Sequence, residues 1–348
     1  MKLIIQIPCL NEAGQLPETL KRLPTQVEGF DAVEWLVIDD GSTDDTTDVA
    51  RANGVHHLVR LPVHKGLALA FQAGLDACLK LGADVIVNTD ADGQYDGADI
   101  PRLVKPILSG EADLVVGDRG VAAVEEFSWV KRRLQSVGSW VVTKASGTAV
   151  PDATSGFRAY NRDAALQLVV VNTFTYTLES LIQAGNSAVT LSYVPVARQT
   201  VGRPSRLFQS NWDYIRRSVG VITRVYAFYR PLRLFATVAV VLGAAGVAAW
   251  SPFLVSWAHG RPGGHLQSII LGAVLMIAAI QVLGLGIVAD LLGRQRVLSQ
   301  RTLERVRRLE LHVGVAPSHY QPGRARPPVG PGAQDGLSGT SRPDSPGV

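Results

Sequence analysis

The strongest constraint on the fold is a regular alternation of short apolar runs with helix-like stretches in the first third of the chain. Apolar runs that predict buried strands occur at residues 3–7, 35–38, 57–61, 83–87 and 113–116. Helical patterns fall between them at residues 15–22, 66–81 and 101–108, and in a stretch that Ser42 or Thr43 would cap and Gly54 would end. Strands that alternate with helices describe a mostly parallel sheet covered on both faces, so the predicted fold class is α/β.

Acidic residues follow two of these strands. Asp39 and Asp40 end the second strand, and Asp90 and Asp92 follow the fourth. The carboxyl ends of parallel strands meet at one edge of the sheet, where ligands bind, so we expect these acids to lie close together. Alternation along an extended chain would point Asp90 and Asp92 to the same side. Two carboxylates placed in this way predict a site for Mg2+ or Mn2+ and, through the cation, for phosphates.

Each of these acids also has a plainer explanation. An isolated Asp-x-Asp is often a solvated turn, and Asp39 and Asp40 could cap the next helix or stabilise its turn. Neither a G-x-G-x-x-G after the first strand nor a P-loop is present, which argues against a sheet built for a dinucleotide or for ATP hydrolysis. The only cysteines are Cys9 and Cys78, which argues against a disulfide framework and fits a reducing compartment.

Two stretches without a charged residue, at residues 234–257 and 266–289, are each long enough to span a bilayer. Arginines precede the first stretch and follow the second, while the connector between them carries only Arg261 as a formal charge. The positive-inside rule therefore predicts an integral protein of the cell membrane with its N-terminal domain and both termini in the cytoplasm. The first residues become polar too soon for a signal peptide. Gln281 predicts a contact with the partner helix or with a neighbouring subunit of a homo-oligomer.

Five motifs occur in order along the chain. They are Pro8-x-x-Asn11-Glu12, Asp39-Asp40-Gly41-Ser42-x-Asp44, Lys65-Gly66, Asp90-Ala91-Asp92-Gly93-Gln94 and Asp152-x-x-Ser155-Gly156-Phe157-Arg158. Together they resemble the family 2 glycosyltransferases of GT-A fold and, among these, the polyprenyl-phosphate (dolichyl-phosphate-like) glycosyltransferases. The resemblance covers about residues 1–230. It implies metal-dependent, inverting transfer of a sugar from a UDP- or GDP-sugar to a polyprenyl phosphate at the cytoplasmic membrane face, for glycan or glycoprotein assembly.

The resemblance also implies roles for individual residues on the donor side. The donor nucleotide would be bound by Pro8, Leu10, Glu12, Val37, Asp39, Asp40 and Ala91. Within that set, the Asp39 carboxylate would accept a hydrogen bond from the base. Asp90 and Asp92 would bind Mg2+ or Mn2+ and the donor diphosphate, and Gln94 would complete the metal shell.

On the acceptor side, the resemblance implies Asp152 as the catalytic base. A phosphate monoester has a second pKa of about 6 and is largely dianionic near neutral pH, so we expect Asp152 to orient more than it deprotonates. A structural alternative is a turn acid after Pro151. Candidates to bind the acceptor phosphate or the donor diphosphate are Arg119, Arg132, Ser136, Arg158, Arg198, Arg203 and Arg206. The choice among the last three arginines stays open, and any single arginine could equally face solvent or lipid headgroups.

The predicted domains are a GT-A catalytic domain (1–206), an amphipathic juxtamembrane helix (207–233), two transmembrane helices (234–292), a basic cytoplasmic segment (293–313) and a disordered tail (314–348). Two other functions stay open. A processive polysaccharide synthase shares the early motifs, but its Gln-x-x-Arg-Trp motif is absent and two spans offer little material for a polymer channel. A non-catalytic membrane scaffold could keep the same fold, although the acidic motifs weigh against it. The acidic loops also disfavour nucleic acid as a partner.

Overall fold

The computed structural model describes residues 1–120, 151–170, 176–186, 189–197, 231–260 and 265–323. Several sequence predictions therefore lie outside the described residues. They concern most of the juxtamembrane helix, the tail from residue 324 onward, and the candidate site residues Arg132, Ser136, Arg198, Arg203 and Arg206.

A mixed sheet of eight strands organises the described residues. The strands are β1 (Lys2–Cys9), β2 (Ala32–Asp39), β3 (His57–Arg60), β4 (Val85–Asn88), β5 (Leu114–Asp118), β6 (Arg158–Asn161), β7 (Leu191–Pro195) and β8 (Tyr320–Pro322). Their spatial order is β7-β5-β6-β4-β1-β2-β3-β8. The central strands β4, β1, β2 and β3 are parallel, β6 is antiparallel to both of its neighbours, and β8 is antiparallel to β3. The predicted α/β fold class is confirmed.

Helices cover both faces of this sheet. They are α1 (Leu16–Arg22), α2 (Thr46–Ala52), α3 (Leu67–Lys80), α4 (Ile100–Leu108), α5 (Arg162–Gln167) and α6 (Tyr176–Asn186). Side chains of α1, α2 and α4 pack with Ile5 on one face, and side chains of α3, α5 and α6 pack with Ile4 on the other. Neighbouring residues of β1 thus enter opposite core layers, as the strand pleat requires. This arrangement leaves the carboxyl edge of the central strands for a site.

Two further helices, α7 (Pro231–Ala258) and α8 (Leu266–Val313), are long and apolar enough to cross a membrane. Only 11% and 17% of their most apolar windows are buried, whereas a core helix of a soluble domain would be mostly buried. The two helices contact each other, and Trp250 Nε1 donates a hydrogen bond to Ile269 O at 3.1 Å. Gln281 is exposed on α8, which disfavours the partner helix as its predicted contact.

The C-terminal part differs from the predicted domain division in two ways. First, α8 continues through the predicted boundary at residue 293 as one helix and ends before Gly314, whose φ of +77° is the usual helix-ending conformation. The basic segment is part of this helix and contacts the N-terminal α/β region. Arg307 Nη1 donates to the carbonyl oxygens of Leu166 and Leu168 at 3.2 and 2.7 Å, and Glu310 lies 3.0 Å from Lys80 Nζ.

Second, the prediction of disorder from residue 314 is wrong as far as residue 323. There β8 pairs with β3, with Tyr320 opposite Val59. The Tyr320 hydroxyl lies 2.9 Å from Nδ1 of His57, another residue of β3. Composition alone could not reveal this strand, because its partner is more than 250 residues away in the sequence.

Candidate active site

The loops that follow β1 and β2 are bonded to each other. Asn11 has a φ of +54°, and its Oδ1 accepts a hydrogen bond from Thr43 N at 2.8 Å. The Asn11 backbone N donates to Ser42 Oγ at 2.9 Å. These bonds explain why neither Ser42 nor Thr43 caps α2 as predicted. The helix instead begins after Asp45, which makes no side-chain capping bond.

Asp40 uses its carboxylate to hold the loop that contains Lys65 and Gly66. Its Oδ1 accepts from Lys65 N at 2.8 Å, and its Oδ2 accepts from Gly66 N at 2.8 Å. The same Oδ2 lies 2.8 Å from His64 Nδ1. This geometry fits the turn-acid explanation, in which Asp40 shapes the loop, and its direct contact with a nucleotide stays a prediction.

Asp39 differs from its neighbour because one of its oxygens has no hydrogen bond. The residue is fully buried, and its Oδ1 accepts from Ser42 N at 2.9 Å. Its Oδ2 has no hydrogen-bond partner in the described part of the chain and lies 3.5 Å from Arg60 Nε. An unsatisfied buried acceptor is costly, so this oxygen is suited to an N–H donor of a ligand.

The other predicted nucleotide residues differ in their accessibility. Leu10 is exposed and Glu12 is partly exposed after β1, so both can reach a ligand. Val37 is fully buried in the core layer on one face of the sheet, which argues against its predicted place in the pocket, and that role stays a prediction. Pro8 and Ala91 are also buried and offer little side-chain surface.

Asp90 and Asp92 lie in the loop after β4. Asp92 Oδ1 accepts from the backbone N of Gln94 at 3.1 Å, and Asp92 Oδ2 accepts from Gln94 Nε2 at 2.7 Å. Gln94 therefore orients Asp92 directly. Gly93 has a φ of +72°, a conformation that favours glycine and produces the bend in this loop.

The electrostatics of the pair suit a cation. Burial, and next the negative charge of Asp92, raise the pKa of Asp90 to about 6 against the opposing charges of Arg119 and Arg158. A divalent cation would relieve this repulsion, and carboxylate oxygens are the ligands that Mg2+ and Mn2+ prefer. Within the described ranges, no group of three or more His, Cys, Asp or Glu residues could hold a metal. The chain thus offers two carboxylates, Gln94 as a further member of the metal shell stays a prediction, and the remaining ligands would come from elsewhere.

Gly156 joins the acidic loop to the Ser-Gly-Phe-Arg motif. A Cβ atom on Gly156 would lie 2.8 and 2.9 Å from the two carboxylate oxygens of Asp90, so glycine is required for this close approach. Its N donates to the Tyr95 hydroxyl at 3.1 Å, and its O accepts from Asn88 Nδ2 at 2.8 Å. Phe157 stacks on Tyr95 with 5.0 Å between ring centroids. The motif is therefore fixed directly against the carboxylate pair.

Asp152 forms a bidentate ion pair with Arg119. The distances are 2.7 Å from Arg119 Nε to Asp152 Oδ2 and 3.0 Å from Arg119 Nη2 to Asp152 Oδ1. Burial alone would raise the pKa of Asp152, but the hydrogen bonds and charge of Arg119 bring it below its ordinary value. Oδ1 also accepts from the backbone N of Thr154 and of Ser155. Such a carboxylate is a weak base, and its geometry is that of a residue that positions Arg119.

The contacts of Arg158 argue against its predicted role as a phosphate ligand, a role that stays a prediction. It is fully buried, and its Nε, Nη1 and Nη2 donate to the carbonyl oxygens of Ser155, Thr177 and Ala153 at 2.8, 2.8 and 3.1 Å. Its nitrogens are thus bonded to the protein itself, and it fixes the loop that carries Asp152. Of the two predicted phosphate-binding arginines that the structure describes, Arg119 is the less buried and the better placed for that role.

Sequence reasoning missed Arg60 and Tyr95. Arg60 is aligned with Asp39 across two parallel strands, a register that no short motif reports. Tyr95 directly follows the Asp90–Gln94 motif, and this position beside the acidic pair could have identified it as a site residue. Its ring lies beneath the Arg119 guanidinium, 6.0 Å from the ring centroid.

A comparison with solved structures defines the class of fold. The glucosyl-3-phosphoglycerate synthase of Mycobacterium tuberculosis was crystallised with Mn2+, UDP-glucose and phosphoglyceric acid. It matches with a TM-score of 0.50 at 21% identity, over 65% of this chain and 78% of that chain. Together with the mixed sheet and the acidic loops at its carboxyl edge, this likeness defines a GT-A fold.

Sequence comparisons give the family. The family model described as Glycosyl transferase family 2 matches residues 4–168. The undecaprenyl-phosphate mannosyltransferase of Micrococcus luteus is 35% identical over 169 residues, which are 47% of this chain and 68% of that protein. The polyprenol monophosphomannose synthase of Mycolicibacterium smegmatis is 28% identical over 204 residues, which are 56% of this chain and 76% of that protein. This chain belongs to glycosyl transferase family 2, as its motifs predicted.

Proposed function

We propose that this protein is a membrane-anchored, inverting glycosyltransferase that moves a sugar from a UDP- or GDP-sugar to a polyprenyl phosphate. The observation that carries the proposal is the contact of Gly156 with Asp90. It brings the Arg119–Asp152 pair next to the carboxylate pair, so that one pocket can hold a donor diphosphate and an acceptor phosphate. The names of the Micrococcus and Mycolicibacterium relatives support a polyprenyl-linked phosphate as the acceptor.

The reaction is a single displacement. A phosphate oxygen of the acceptor attacks the anomeric carbon, the bond from that carbon to the donor diphosphate breaks, and UDP or GDP leaves. One displacement inverts the anomeric configuration and needs no covalent intermediate. The attacking phosphate is already largely dianionic near neutral pH, so the low pKa of Asp152 is no obstacle. Arg119, held by Asp152, supplies fixed positive charge to a phosphate group.

Asp90 and Asp92 would hold Mg2+ or Mn2+, and Gln94 would keep Asp92 in the required orientation. The donor set fits such a cation because both side chains offer hard oxygen ligands and because burial, and next the charge of Asp92, raise the pKa of Asp90. When bound, the cation neutralises the charge that grows on the leaving diphosphate. The donor base would lie against Asp39, whose free Oδ2 accepts from a base N–H, with Leu10 and Glu12 beside it.

The site would work at the cytoplasmic face of the membrane. Helices α7 and α8 would anchor it there, and the arginines before the first span and after the second support this orientation. Anchoring beside the headgroups raises the local concentration of a lipid-linked phosphate. Membrane lipids are thus partners as well as the donor and the acceptor.

An acceptor comparison tests the proposal. Purified protein is given one accepted nucleotide sugar and either a short polyprenyl phosphate, the matching free polyprenol or a soluble phosphate monoester. The proposal expects one sugar added per polyprenyl phosphate and no product with the free polyprenol. A polymeric product would support a processive synthase, and nucleotide binding without transfer to any acceptor would support a scaffold.

A further inference from the structure

Arg60 connects the proposed nucleotide pocket to the C-terminal end of the described chain. Its Nε lies 3.5 Å from Asp39 Oδ2, which is beyond the usual length of an N–H···O hydrogen bond. The guanidinium therefore balances the charge of a fully buried carboxylate without occupying the acceptor. The Arg60 side chain is itself about half exposed, so a ligand that reaches Asp39 can approach beside it.

The backbone of Arg60 is fixed from two sides. Within the sheet it is aligned with Asp39 of β2. On its other side, the Arg60 N donates to the carbonyl oxygen of His319 at 3.1 Å, just before β8 begins. Without β8, the four-residue strand β3 would be the edge of the sheet, and a short edge strand opens easily.

Residues 319–323, which we call the C-terminal clasp, contact β3 along its whole length. The Tyr320 hydroxyl lies 2.9 Å from His57 Nδ1, and Gly323 N donates to His56 O at 2.9 Å. A Cβ atom on Gly323 would lie 1.8 Å from the carbonyl oxygen of Val55, so any other residue there would displace the clasp. The clasp follows α8 and lies well outside the residues 4–168 that match the family model.

We propose that Arg60 positions Asp39 for the N–H donor of the nucleoside diphosphate base, and that the C-terminal clasp holds Arg60 in place. This inference rests on the proposed function only in requiring that a nucleoside diphosphate binds at Asp39. Loss of Arg60 leaves a buried carboxylate without a balancing charge, which favours its reorientation or the entry of water. The same helix that would cross the membrane thus leads directly to the strand that shapes the donor pocket.

Calorimetric binding of UDP and GDP to the full chain in detergent with Mn2+ tests the role of Arg60. Inorganic pyrophosphate serves as a ligand without a base. Arg60→Ala should weaken binding of the preferred nucleoside diphosphate about tenfold, which corresponds to loss of the charge-assisted hydrogen bond from the base N–H to Asp39. Binding of pyrophosphate, which has no base, should be unchanged. Arg60→Lys should recover part of the loss. In an Asp39→Asn background, Arg60→Ala should have little further effect, because a residue that acts through Asp39 cannot act without it.

A second pair of variants tests the clasp. Gly323→Ala should weaken binding of the nucleoside diphosphate in the same direction as Arg60→Ala and speed hydrogen exchange of the β3 amides. Gly293→Ala is the control, because a Cβ atom there meets nothing within 4 Å. If Gly323→Ala speeds exchange in β3 while nucleotide affinity stays unchanged, the clasp does not hold the pocket.

The outcomes separate this inference from the proposed function. Equal weakening of pyrophosphate and nucleotide by Arg60→Ala, or an unchanged nucleotide affinity, would overturn the role of Arg60. A wild-type protein that binds nucleotide in this Arg60-dependent way but transfers no sugar to lipid phosphate would overturn the proposed function alone. A wild-type protein that binds neither UDP nor GDP would overturn both.

Discussion

Arg119 and Asp152 share two hydrogen bonds, at 2.7 and 3.0 Å, in the fork geometry that arginine forms with a carboxylate. Asp152 is 1% exposed, so its charge depends on this partner. The sequence predicts separate roles for the two residues, Asp152 as a base and Arg119 as a phosphate-binding arginine. In the structure they form one hydrogen-bonded unit. In that unit Asp152 fixes the direction of the guanidinium, and we propose that Arg119 is the residue that faces a phosphate.

Asp152→Asn should therefore slow turnover without changing its pH dependence. We expect kcat to fall by about ten- to hundredfold, since the orientation of Arg119 is relaxed, while donor affinity changes little. Both proteins should lose kcat/KM with the same midpoint as pH falls through the second pKa of the acceptor phosphate, about 6. A midpoint that moves in the variant would identify Asp152 as the base, and an unchanged rate would show that it is dispensable.

A comparison of Arg158→Lys with Arg119→Lys should distinguish an arginine that stabilises the fold from an arginine that binds the acceptor. Arg158→Lys leaves buried carbonyl oxygens without donors and should lower the free energy of unfolding by about 2 kcal/mol or more, with the acceptor KM unchanged where the protein is folded. Arg119→Lys should mainly raise the acceptor KM or lower kcat, because lysine cannot reproduce the fork. Denaturant unfolding and steady-state kinetics measure both. A raised acceptor KM with normal stability in Arg158→Lys would restore it as a phosphate ligand.

Gly156→Ala should damage the carboxylate site. Its Cβ atom would press on both oxygens of Asp90 and on the Tyr176 hydroxyl, so the carboxylate must move. We expect Mn2+ affinity and turnover to fall at least about tenfold, equivalent to about 1.4 kcal/mol. Gly14→Ala is the matched control, since nothing lies within 4 Å of a Cβ atom there. Equal activity of the two variants would show that Gly156 does not shape the site.

Mn2+ binding should depend on pH through Asp90. Because its pKa is raised to about 6, its carboxylate takes up a proton as pH falls through that value, and the proton competes with the cation. Titration of Mn2+ between pH 5 and pH 8 should show affinity that is constant above pH 7 and lost below pH 6. Asp90→Asn should bind weakly at every pH. Wild-type affinity that stays constant down to pH 5 would contradict the assignment of Asp90.

The sequence predicted the α/β class and the acidic loops well because both follow from local patterns. Period-2 and period-3.6 hydrophobicity locates strands and helices, and a parallel sheet brings its strand ends together. The positions of Asp39, Asp90 and Asp92 at strand ends are therefore readable from residues 1–120.

The parts that were mispredicted depend on contacts between distant residues. The family resemblance implies that Val37 lines the pocket, but the strand pleat turns its side chain into the core. The Ser-Gly-Phe-Arg motif predicts Arg158 as a phosphate ligand, but its partners are carbonyl oxygens brought near by the fold. The strand Tyr320–Pro322 has a composition typical of disorder and is ordered by β3. Side-chain direction and long-range pairing decided each of these cases.

The central claim is that Asp90 and Asp92 support metal-dependent sugar transfer to a lipid phosphate. The most direct test is mass spectrometry of the lipid product after incubation with a panel of UDP- and GDP-sugars, a short polyprenyl phosphate, and Mg2+, Mn2+ or EDTA. Wild type, Asp92→Ala and the exposed-acid control Glu111→Ala are compared in membranes. We expect one sugar added per lipid phosphate by wild type and Glu111→Ala with metal, and none with EDTA or by Asp92→Ala, which should still be found in membranes. Undiminished product from Asp92→Ala, or from wild type in EDTA, would contradict the claim.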